Sequence, residues 1–71
     1  MKKNKEFLKL LIDKEISKTE LAEKIGVTWQ TVYNWSIGRN KPSMEKTIKM
    51  AEVLGVSSEY IYKIFTKGEK K

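Results

Sequence analysis

The sequence predicts an all-α fold of five short helices, and three observations carry that prediction. Apolar residues recur at i, i+3 and i+4 along most of the chain, the period of a helix with one buried face. Helix stops and starts punctuate it: Ser17, Gly26 with Thr28, Gly38 with Pro42 and Ser43, and Gly55 with Ser57. One stretch, Lys18 to Ile37, holds two such helical patterns joined at a single glycine.

The first helix spans about Asn4 to Glu15, with apolar positions Phe7, Leu8, Leu10, Leu11 and Ile12. Its lysines flank a leucine-rich stripe, so two readings stand: a helix lying on a membrane surface, or a first helix packed across its neighbours with Lys9 and Lys14 in water. The second runs from Ser17 or Lys18 to Ile25. Ser17 caps it, and Glu20 completes a capping box. Leu21, Ala22 and Ile25 share its inner face. Gly26 supplies the positive φ of a sharp turn, and Val27 plugs the space between the two helices. Thr28 caps a third helix that reaches about Ile37, with Val32 and Trp35 directed inward.

Gly38 ends that helix in a left-handed cap, and Pro42 and Ser43 start the fourth. The fourth helix, Ser43 to Leu54, turns Thr47, Ile48, Ala51 and Leu54 or Val53 inward, with Glu45, Lys46, Lys49 and Glu52 in water. Gly55 stops it. A last short helix opened by Ser57 carries Tyr60, Ile61, Ile64 and Phe65. Residues 1–4 read as a basic arm and residues 66–71 as a polar tail, both expected to be mobile, around a single domain spanning 1–71.

Composition narrows the function classes. Seventy-one residues bury only about 60% of the surface of the unfolded chain and leave little room for a catalytic cleft. There is no cysteine and no histidine, which removes disulfides, thiolate nucleophiles, most zinc sites and the commonest general base. No catalytic residue, cofactor or metal site is expected. The longest apolar run, Leu10 to Ile12, is far below the roughly 20 residues that span a bilayer, so a cytoplasmic protein is expected. The formal charge is +6. Its distribution is more telling: Lys24 to Met44 contains Lys24, Arg39 and Lys41 but no Asp or Glu. A face that meets phosphates must avoid carboxylates, whereas a solvated helix usually mixes both signs.

Leu21 and Ala22, the Gly26-Val27 turn, Val32 and Trp35, Gly38, the basic Arg39-Asn40-Lys41, Pro42 and Ser43 together resemble the helix-turn-helix of the phage Cro and CI repressors and their bacterial relatives. Ala51 and Leu54-Gly55-Val56-Ser57 continue the match. The resemblance implies a lambda-repressor-like DNA-binding domain with the helix-turn-helix at helices two and three. It also implies a sequence-specific transcriptional regulator, nucleoid-associated, that represses by occupying a palindromic operator as a homodimer. Two features depart from it. The family's arginine on the first helix and glutamate two residues before the glycine are replaced by Leu11 and Ser36, so both members of a buried ion pair are absent together.

On that resemblance helix three is the recognition helix, with Trp29, Gln30, Tyr33 and Asn34 at its front to read bases. Gln30 and Asn34 can each satisfy adenine N7 and N6 through a carboxamide. Trp29 either meets a thymine methyl or folds back over Lys18. Tyr33 can reach phosphate or base through its hydroxyl. Phosphate contacts are expected from Lys18 at the start of helix two, Thr28, Thr31, the loop Arg39, Asn40 and Lys41, and Met44 in the first turn of helix four. Ile64 and Phe65 either pair across a two-fold axis or close the small core. A second function class uses the same fold as a protein-interaction module or antitoxin component, docking through Trp29, Tyr33 and Ile37.

Overall fold

The computed structural model describes residues 3–66, and among them are five α-helices and no strand. They are α1 (Lys5–Asp13), α2 (Lys18–Ile25), α3 (Trp29–Ser36), α4 (Met44–Leu54) and α5 (Ser58–Thr66). No described helix is long and apolar enough to cross a membrane. The first two residues of the expected arm and residues 67–71 of the expected tail lie outside the described residues.

Polar caps start the helices. Ser17, Thr28 and Ser43 each accept, through the side-chain hydroxyl, a hydrogen bond from the amide three residues on, and Ser57 does the same for Tyr60. Ser17 and Glu20 form the full capping box, the Ser17 amide donating back to Glu20 Oε1 at 3.4 Å. Asn4 and Thr66, assigned by sequence to the arm and the tail, are both placed. Asn4 caps α1 by accepting from the Phe7 amide at 3.0 Å. It also donates its own amide to the Ser36 carbonyl and its Nδ2 to the Ile64 carbonyl. One side chain and its amide therefore tie the start of α1 to the ends of α3 and α5. Thr66 is the last residue of α5, its hydroxyl donating to the Tyr62 carbonyl.

α2 packs against α3 and α4, α4 against α5, and α1 against α3 and α5. Between them lies one core, in which Phe7, Leu21, Ile25, Val32, Met50 and Ile61 are essentially sealed from water. Phe65 sits within it, its ring centroid 5.0 Å from Phe7 and 6.4 Å, edge on, from Trp35. That placement bears on the two roles left open for Ile64 and Phe65. Both are buried in the core of the single chain, which supports the closing role. Ile12 and Ile48, grouped with the inward residues by sequence, are exposed, and Met50 takes the inward place on α4. Leu11 and Ser36 are buried, and Ser36 Oγ donates to the Tyr33 carbonyl at 2.7 Å. A hydroxyl that bonds its own helix needs no buried ion.

Candidate nucleic-acid interface

α3 is eight residues long, and its inner face is fixed by Val32 and Trp35, both buried in the core. The opposite side must then face solvent, and it carries two i, i+4 pairs in neighbouring rows. Trp29 and Tyr33 form one row, exposed at 46% and 37%, their rings stacked with centroids 5.0 Å apart and planes 11° from parallel. Gln30 and Asn34 form the other. Gln30 Nε2 donates to Asn34 Oδ1 at 3.2 Å, so the two carboxamides act as one bonded unit.

The surroundings of α3 bring most of the sequence-predicted residues together. At its start, Thr28 Oγ1 accepts from the Thr31 amide and lies 3.0 Å from Thr31 Oγ1. Beside Trp29 opens a groove of about 500 Å³, lined by Leu8, Leu11, Ile12, Ile16, Ser17, Lys18, Thr19 and Trp29. Trp29 thus meets Tyr33 on one side and shares a groove with Lys18 on the other, so it joins the start of α2 to the outer face of α3. The amides of Lys18 and Thr19 occupy the first two helical positions of α2, where helix geometry leaves N–H groups directed out of the end.

At the far end, the α3 to α4 loop is held against the helix. The amides of Arg39 and Asn40 both donate to the Asn34 carbonyl, at 2.9 and 3.4 Å, with Gly38 at φ 78° making the turn. Arg39, Asn40 and Lys41 are exposed. Met44 opens α4 at the far end of this loop and is exposed at 59%. Ile64 and Phe65 stand apart, inside the core. The two pairings within α3 were not read from the sequence, although the i, i+4 spacing that produces them was there to be seen.

Residues 8–61 match the helix-turn-helix family of Cro/CI type. The chain belongs to that family. Its helix-turn-helix comprises α2, the Gly26 turn and α3, the elements around which the exposed pairs and cations are arranged. Over 56 residues, 79% of the chain, it is 41% identical to a Haemophilus influenzae protein named an uncharacterized HTH-type transcriptional regulator. The chain spans 23% of that relative's length. No solved structure matches the chain.

Proposed function

We propose that this helix-turn-helix chain is a sequence-specific double-stranded DNA-binding transcriptional regulator, acting as a Cro-like repressor that occupies its operator. The observation that carries the reading is the outer face of α3. It is solvent-facing, free of carboxylates, and equipped with hydrogen-bonding carboxamides between two cationic flanks, Lys18 at one end and Arg39 with Lys41 at the other. In this reading Trp29, Gln30, Tyr33 and Asn34 meet base edges in the major groove. Lys18, Thr28, Thr31, Arg39, Asn40, Lys41 and the Met44 amide hold the two phosphate walls. The name of the H. influenzae relative points the same way.

The exposed aromatic stack supports one other reading, a docking patch for a protein partner, as in an antitoxin. Salt separates the two, because contacts to phosphates release counterions and weaken steeply as salt rises. The test is selection of bound duplexes from a randomised pool at near-physiological salt, with folding confirmed by circular dichroism. Enrichment of an inverted repeat supports a symmetric operator read by two copies. A folded protein that enriches no sequence overturns the reading in favour of protein docking.

A further inference from the structure

We infer that the half-site read by α3 contains an adenine and a thymine methyl within one two-base-pair step, the adenine taken by the bonded Gln30–Asn34 carboxamides and the methyl by the Trp29–Tyr33 stack. This rests on the DNA-reading role proposed above and names the sequence chemistry of its target.

The carboxamide unit selects by its remaining hydrogen-bonding groups. One N–H of Gln30 is committed to Asn34 Oδ1. With the N–H anti to the carbonyl given to Asn34, the amide keeps its other N–H and its oxygen on one edge, a donor beside an acceptor. In the major groove adenine presents the complement, N7 accepting and N6 donating. Guanine offers two acceptors there and cytosine a donor alone. The bond to Asn34 also restricts Gln30 before DNA arrives, so Asn34 is a positioning residue for the Gln30 edge.

The neighbouring row selects by shape. Each ring of the stack covers one face of the other, at 5.0 Å and 11°, and a tryptophan indole can donate a hydrogen bond but accept none. The indole N–H and the Tyr33 hydroxyl lie at the ring edges, while the outer ring faces are apolar and suit an apolar projection. The thymine C5 methyl is the apolar group that the four unmodified bases place in the major groove. The two rows are offset by one residue, about 1.5 Å along the helix axis, less than one base-pair rise of about 3.4 Å. The two rows, one residue apart in sequence, therefore address the same pair or adjoining pairs.

The test uses the duplex enriched in the selection above, read by fluorescence anisotropy with the whole chain. Each half-site adenine is replaced in turn by 7-deaza-2′-deoxyadenosine, which lacks the N7 acceptor, and each thymine by 2′-deoxyuridine, which lacks the methyl. At one adenine the analogue is expected to weaken wild-type binding about 10-fold. Gln30→Ala should show no further loss there, and Asn34→Ala should keep only a small part of it. At one thymine, deoxyuridine is expected to weaken wild-type binding about 4-fold, the worth of one buried methyl, and to leave Trp29→Ala unaffected. Tolerance of deoxyuridine at every thymine overturns the inference, as does a 7-deaza loss that persists in full in Gln30→Ala. Either failure with salt-sensitive binding to the enriched duplex intact sinks this inference alone; the absence of any enriched duplex sinks the functional reading with it.

Discussion

Among single residues, those proposed to read bases and those proposed to hold phosphates should fail differently. Gln30→Ala removes a base-edge contact, so it should cost roughly 1–3 kcal/mol on the best site and relax the preference at one base pair. Arg39→Ala removes a charge from the loop bonded to the end of α3, so it should weaken all duplexes alike and lower the salt slope by about one per copy. Repeating the selection with each variant, together with a salt titration, checks both. Asn4 belongs to stability. It joins three elements, so Asn4→Ala should cost roughly 2 kcal/mol, about 1 for the cap and about 1 for the bond to Ile64. Urea denaturation of this variant beside Ser17→Ala, expected near 1 kcal/mol, measures the difference.

At the scale of the helix, four of the connections close in the same way. An amide returns to the carbonyl five residues back, Ile16 to Leu11, Val27 to Ala22, Arg39 to Asn34 and Val56 to Ala51, with a left-handed residue just before the donor. In three cases that residue is Gly26, Gly38 or Gly55, which is why those three turns were legible in the sequence. In the first it is Glu15, at φ 56°, and so α1 was expected to continue to Glu15 when it ends at Asp13. Glu15→Gly should therefore stabilise the chain, by about 0.5–1 kcal/mol once the added freedom of the unfolded glycine is counted. Gly26→Ala should act in the opposite sense. An added Cβ meets nothing within 4 Å, so only the backbone penalty remains, about 1–2 kcal/mol. Thermal melts of the two variants give the signs.

The inner face of α3 was legible for a related reason: Val32 and Trp35 leave a short helix one way to face, and that choice turns Trp29, Gln30, Tyr33 and Asn34 outward. Burial at the rim was not legible. Ile12 and Ile48 continue their helical stripes in sequence, but they fall where no neighbouring helix covers the stripe, and Met50 fills the interior instead. Nor does a pattern of apolar spacing reveal a polar clamp, because Asn4 acts through contacts 32 and 60 residues away in the chain.

For the whole molecule, the reach of one copy sets what it can specify. Eight residues of α3 measure about 12 Å, which spans about four base pairs. A four-pair word occurs about once in 250 sites, far too often against the roughly 10⁶–10⁹ competing sites of a genome. Two copies reading an inverted repeat square that selectivity, and their recognition helices would then lie about 34 Å apart. Ile64 and Phe65 are buried in the core of the single chain, and Tyr60 and Tyr62 are the exposed aromatics of α5. Phe65→Ala discriminates between the two placements. If Phe65 were only a surface contact, the variant would stay folded and lose self-association. Removing a ring packed between Phe7 and Trp35 should instead cost about 3–5 kcal/mol, comparable to the whole stability of a domain this small. The expected outcome is loss of the cooperative thermal transition at every protein concentration. A transition that survives unchanged in dilute protein would place Phe65 at the surface and return α5 to the role of a dimer contact.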